Sequence, residues 1–185
     1  MSSEDLLIES KQTNGAVPSP WLPFDGSYVS CGIMGLSSTS QGSTKLRSTK
    51  PRESPILDPN ALSTEHDRAV LRAGMRIVID AMSSASMASF IETSETPPPG
   101  EAALSSTSTD DEFDQRIRAL AFPWFHAAGT AAMGRVVDTE CRVKGVECLQ
   151  VVDTSITPFS LTAHLQAPMY GLAEQAVSMI IESQA

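Results

Sequence analysis

Two of the three histidines, His126 and His164, stand in the last third of the chain beside residues that suit acid–base chemistry. An imidazole titrates near neutral pH, so it can accept a proton in one step and return it in the next. Phe122, Trp124 and Phe125 immediately precede His126. Packing against three rings would strip water from the imidazole and keep it neutral and basic. The alternative is a packed histidine whose two nitrogens bond backbone groups. His66 lies among charged residues at the start of a helical pattern and reads as solvated.

The elements that must position these residues follow from periodicity. Ser63 or Thr64 can cap a helix with Glu65 and Asp67 in its first turn, and Leu71, Met75, Val78 and Met82 repeat on one face. Asp110 or Asp111 can start a second helix that buries Phe113, Ile117 and Leu120. A third covers residues 168–182. Thr44–Ser48 alternates like a half-buried strand, and Pro51, Pro55 and Pro59 mark an extended connection. Leu149–Asp153 reads as a buried strand ending at a polar loop, the usual place for ligands in α/β sheets. Strands near Leu46, Val136, Val143 and Val151 are expected to share sheets. The fold class is therefore α+β, a mixed or antiparallel sheet packed by helices.

Residues 1–30 read as a flexible polar tail with Trp21 and Phe24 as its large anchors, followed by one domain over 31–185. Within that domain, 93–112 is an acidic Ser/Pro loop, solvated or acting as a lid. At 185 residues and 41% apolar content the chain can build a core. Its net charge of -9, with 13 scattered basic residues, argues against nucleic acid. No apolar run reaches the ~20 residues of a membrane span. The acidic N-terminus lacks the basic start of a signal peptide, so a soluble, cytoplasmic protein is expected. Cys31, Cys141 and Cys148 are odd in number and irregularly spaced, which fits reduced thiols and no metal.

Five motifs occur in order: His126-x-x-Gly129-Thr130-x-x-Met133-Gly134, Val136-Val137-Asp138, Arg142-Val143-x-Gly145-Val146, Leu149-x-Val151-Val152-Asp153-x-Ser155 and Tyr170-x-Leu172-Ala173-Glu174. Together they resemble the C-terminal segment of the glucose-methanol-choline (GMC) flavin oxidoreductases. Gly42–Ser48 and Pro55–Asn60 are similar to the start of that family's substrate domain, which carries the resemblance across most of 36–182. The resemblance implies a catalytic pair in which His126 takes the alcohol proton while the carbon gives hydride to FAD. His164 would orient the substrate hydroxyl, in a place where the family has a second His or an Asn. It implies cofactor contacts at Asp153, Thr154 and Pro158, and a substrate pocket formed by Phe122, Trp124, Phe125 and Gln166.

The departure from the family matters as much. A Rossmann fingerprint seats the FAD diphosphate in GMC enzymes, yet no Gly-x-Gly occurs in these residues. Gly129 to Gly134 has P-loop spacing, but Arg135-Val136 replaces the required Lys-Ser/Thr. The expectation is a GMC-type module acting on an alcohol, with the FAD-binding half absent from these residues, either carried on a separate polypeptide or missing from this sequence, and with a homo-oligomer as a further partner. FAD binding by this chain alone is then weak or absent. Two alternatives stand beside it: a cofactor-free isomerase, dehydratase or cyclase that reuses the histidine pair, and an inactive remnant or binding partner.

Overall fold

A computed structural model describes residue 22 and residues 25–184, apart from 93 and 94. Trp21, Phe24 and most of the 1–30 segment lie outside the described residues. In chain order the elements are strands β1 (Ser43–Lys45) and β2 (Ile56–Asp58), helices α1 (Glu65–Met82) and α2 (Asp110–Leu120), a 3₁₀ turn (Thr154–Ile156) and helix α3 (Gln166–Gln184). The fold is α+β, as expected. The chain divides into two compact units, one built from the residues up to Ile33 with Gly74–Phe113, the other from Met34–Ala73 with Asp114–Ala185.

In the first unit, Gly74 lets Ile33 approach so closely that a Cβ there would stand 2.6 Å from its side chain. Arg76 organises the Ser/Pro loop. Its guanidinium donates to the carbonyls of Ser106 (2.6 Å) and Ser108 (2.8 Å), pairs with Asp110 (2.7 Å), and lies over the Phe113 ring, 4.3 Å from its centroid. A loop too polar to bury itself thus gains order from one cation. The cap of α2 is Thr109 instead of either aspartate. Glu112 Oε2 accepts from the Thr109 N–H and hydroxyl, while the Glu112 N–H donates back to Thr109 Oγ1, a reciprocal capping box. Phe113 and Ile117 are buried as the spacing implied, whereas Leu120 is exposed.

In the second unit β1 and β2 pair antiparallel, Thr44 opposite Leu57. Two expectations are corrected here. The Thr44–Ser48 strand is shorter than its alternation suggests and exposed throughout, with Leu46 87% exposed. The connection between prolines contains its partner, because Pro55 and Pro59, which have no N–H to donate, bracket a pairable stretch. Thr64 caps α1, its Oγ1 accepting from the Asp67 N–H.

The sheet expected from Val136, Val143 and Val151 is replaced by single bridges, Val137 with Met133 and Val143, and Arg142 with Gln150. Cys141 and Cys148 adopt φ of 64° and 57°. Residues in the left-handed region end extended backbone, so each strand stops after one bridge. The segment still supplies a core: Val137, Cys141, Ile156 and Ala176 are buried, with Met133, Val143, Val151, Leu172 and Met179 packed around them. Burial pushes the Cys141 thiol pKa up, consistent with a structural thiol, and all three cysteines are free.

Charge also holds this unit together. The buried Asp114 carboxylate takes Arg72 at 2.7 Å and Arg68 at 3.4 Å. Buried Asp67 accepts from Ser38 Oγ (2.7 Å), the Thr39 N–H (2.7 Å) and hydroxyl (3.0 Å), and the Ser40 N–H (3.0 Å), tying the 38–40 segment to α1. Burial alone would raise its pKa, but the donors from Ser40, Thr39 and Ser38 outweigh it and hold the carboxyl far below the usual carboxylate range. A carboxylate depressed in the folded state contributes stability above its unfolded pKa, about 3.9, and loses it as pH falls toward the folded value. The melting temperature is therefore expected to fall with acidification below about pH 5, and Asp67→Asn to be less stable at neutral pH with a shallower acid slope. Equal acid slopes in the two proteins would contradict this.

Candidate active site

The site is built where two segments of the second unit are laced together. The Gly129 N–H donates to Thr154 O (3.3 Å), the Ala131 N–H to Ser155 O (2.8 Å) and the Met133 N–H to Ile156 O (2.8 Å). Gly129, at φ 82°, makes the turn, and a Cβ there would meet Thr157 O at 3.4 Å. The His126-x-x-Gly129-Thr130-x-x-Met133-Gly134 motif is thus the local device that pins the chain after His126 to the 3₁₀ turn.

On the far side of that turn the chain returns through His164 into α3. His126 Nε2 and His164 Nδ1 lie 3.1 Å apart, the rings meeting nearly edge to face at 83° with centroids 5.3 Å apart. One nitrogen donates to the other, the direction depending on tautomer. Both imidazoles are exposed. The desolvation expected from the preceding aromatics is therefore not met: Phe122 and Trp124 stack on each other, centroids 5.5 Å apart, and are 50% and 43% exposed. Phe125, at φ 60°, turns the backbone between that stacked pair and His126.

His126 lines an open-sided hollow of about 340 Å³ with Phe125, Ala127, Thr154, Leu165, Gln166, Met169 and Tyr170. Of the residues expected around a substrate or cofactor, Phe125, Gln166 and Thr154 are brought here, while Phe122, Trp124, Asp153 and Pro158 are not among the lining residues. The Asp153 carboxylate is used locally, accepting the Ser155 N–H at 2.7 Å and capping the 3₁₀ turn. Hydrogen bonds from the Ser155 hydroxyl and N–H hold its pKa below the usual range. Sequence reasoning missed Ala127, Leu165, Met169 and Tyr170. The signal was present, since Gln166, Met169 and Tyr170 share one helix face at i, i+3, i+4 beside His164.

The GMC oxidoreductase family model matches residues 38–173, nearly the whole of the region that carries the five motifs. The chain belongs to the GMC oxidoreductase family. The GMC-type oxidoreductase acuG of Aspergillus aculeatus is 45% identical over 160 residues, which are 86% of this chain and 30% of that protein. Mitochondrial choline dehydrogenase of Mus musculus is 38% identical over 148 residues, 77% of this chain and 24% of that protein. Among solved structures, an FAD-dependent oxidoreductase from Chaetomium thermophilum superimposes with a TM-score of 0.68 at 30% identity, covering 77% of this chain and 25% of its own. This GMC chain thus spans less than a third of the length of these relatives.

The hollow fits one part of a flavin dinucleotide. Ala127, Leu165 and Met169 offer an apolar wall to a flat ring, and at the start of α3, where Pro168 has no N–H and the Met169 N–H is bonded to Leu165 O (2.9 Å), the amides of Gln166 and Ala167 have no intrahelical partner. No Lys or Arg lines the hollow, so a diphosphate finds no counter-charge there.

Proposed function

We propose that this GMC chain supplies the substrate side of an alcohol-oxidising flavoenzyme, with the FAD dinucleotide seated by polypeptide outside these residues. The observation that carries the proposal is the imidazole pair, 3.1 Å from nitrogen to nitrogen, with His126 on an open apolar hollow. Relatives named for choline, pyranose and aryl alcohol support a CH–OH substrate, since each of those molecules carries that group. FAD, when bound, would accept the hydride that leaves the alcohol carbon.

The residues of this chain perform the proton half of the reaction. His126 takes the hydroxyl proton onto a ring nitrogen as the C–O bond gains double-bond character. His164, already hydrogen-bonded to that ring, shares the proton or turns to hold the hydroxyl. Gln166, at the mouth of α3, offers an amide to the same oxygen, and Leu165 and Met169 give the substrate carbon an apolar wall.

Because no cationic or glycine-rich cradle for a diphosphate lies on this hollow, the purified chain is expected to leave gel filtration without stoichiometric FAD. Visible flavin absorbance approaching one FAD per chain would contradict that. Turnover is then tested with FAD in large excess, enough to load a weak site, an artificial electron acceptor and a panel of small alcohols. Alcohol-dependent reduction of the acceptor supports the proposal; proton-transfer turnover indifferent to flavin would replace it with the cofactor-free alternative.

A further inference from the structure

We infer that the alcohol this site takes is neutral and carries an aromatic ring next to its CH–OH group, the ring packing on Phe125 and Tyr170. The CH–OH rests on the alcohol-oxidising reading, and what is attached to it rests on the lining of the hollow. Phe125 is 87% exposed and Tyr170 70% exposed, and both line the hollow with His126. Neither stacks on another ring among the described residues, where Phe122 is taken by Trp124 and His126 by His164. The two rings come from different segments, Phe125 from the left-handed turn before His126 and Tyr170 from the first turns of α3. Large apolar side chains left in water beside a hollow mark a place for a ligand to cover, and a ring gains a specific offset or edge-to-face contact there that a saturated group does not.

Neutrality follows from what the lining lacks. Among the described residues no Asp, Glu, Lys or Arg lines the hollow, so an alcohol bearing a carboxylate meets no counter-charge. A cationic alcohol fares worse as the reaction proceeds. Once His126 holds the hydroxyl proton, the imidazole pair is positive, and a fixed cation on the substrate is repelled with no carboxylate in the lining to offset it. A polyol needs a polar partner for every hydroxyl it takes out of water. Beyond His126 the side chains of the lining offer only Thr154, Gln166 and the Tyr170 hydroxyl, against an apolar remainder. The volume of about 340 Å³ stands at the small end of the ~300–1,000 Å³ typical of small-molecule sites, which suits a compact ring and not a long chain.

The test is a ligand-observed NMR titration of the full purified chain with benzyl alcohol, its saturated counterpart cyclohexylmethanol, choline and glucose, with acceptor reduction by the same alcohols under excess FAD read separately. Benzyl alcohol is expected to bind about tenfold more tightly than the other three, since each ring–ring contact adds roughly two- to tenfold. Phe125→Ala and Tyr170→Ala should each cut the ratio of benzyl alcohol to cyclohexylmethanol affinity about threefold, while Tyr170→Phe keeps it. Both side chains are exposed, so circular dichroism should be unchanged in all three variants. Equal affinity for benzyl alcohol and cyclohexylmethanol, a preference for choline or glucose, or a ratio that neither alanine substitution moves overturns the inference. So does a loss of riboflavin binding in the alanine variants that exceeds their loss of benzyl alcohol binding, because the rings would then serve the cofactor. Preference for benzyl alcohol without acceptor reduction supports the ring site and ends the redox reading; acceptor reduction without that preference ends the ring site and leaves the redox reading in place.

Discussion

Replacing His126 by alanine is expected to lower alcohol turnover by about 10²- to 10⁴-fold, the contribution of a positioned general base. The fold should be untouched. His126 is exposed, and the buried set of Val137, Cys141, Ile156 and Ala176 contains none of its contacts. An unchanged melting temperature and circular dichroism spectrum would therefore separate loss of chemistry from loss of structure. His164→Asn should cost less, because an amide in that place retains a donor and an acceptor for the substrate hydroxyl, though it cannot share a full proton. A two-variant comparison reads this directly: a deep loss in kcat for His126→Ala and a shallower one for His164→Asn. Wild-type turnover in His126→Ala would end the assignment of His126 as base.

Asp114→Ala should be the most destabilising single change, costing about 3–5 kcal/mol, because it removes the buried carboxylate shared by Arg72 and Arg68 and leaves the Arg72 guanidinium to lean on the exposed Glu65. Arg72 is 7% exposed and bonds Asp114 at 2.7 Å; Arg68 approaches the same carboxylate at 3.4 Å and Arg118 at 3.6 Å. Against a net stability of about 5–15 kcal/mol for a domain, that loss leaves a marginal protein. The pair itself is a different matter, since the cost of drying two charges offsets much of their attraction. The double variant Asp114→Leu with Arg72→Met should therefore recover most of the loss. Urea unfolding of the single and double variants measures both. A single variant within about 1 kcal/mol of wild type, the effect of one surface contact, would show that solvent already screens the pair.

The sequence by itself determined the helices and the family, and it singled out the two histidines that the fold brings together. Helices are local objects, and Thr64 and Thr109 with their i+3 carboxylates, together with apolar residues at helical spacing, are written within one turn of where they act. The motif around Gly129 is equally local, since its positive φ serves a turn only a few residues from His126.

Tertiary structure decided what depends on distant partners. The valine-rich segments after Met133 looked like strands, yet Cys141 and Cys148 turn left-handed and break them into single bridges, which composition does not announce. Nothing in the sequence pairs Arg72 with Asp114, 42 positions apart; α1 and α2 bring them 2.7 Å apart in a buried setting. Phe122, Trp124 and Phe125 precede His126 in the chain, but proximity in sequence did not bury it: Phe122 and Trp124 stack on each other, and the backbone turns at Phe125 before it reaches His126. The meeting of His126 with His164 rests on three backbone hydrogen bonds between residues 129–133 and 154–156. Such long-range pairing is chosen by packing and backbone satisfaction over the whole unit, and no short window of sequence contains both sides of it.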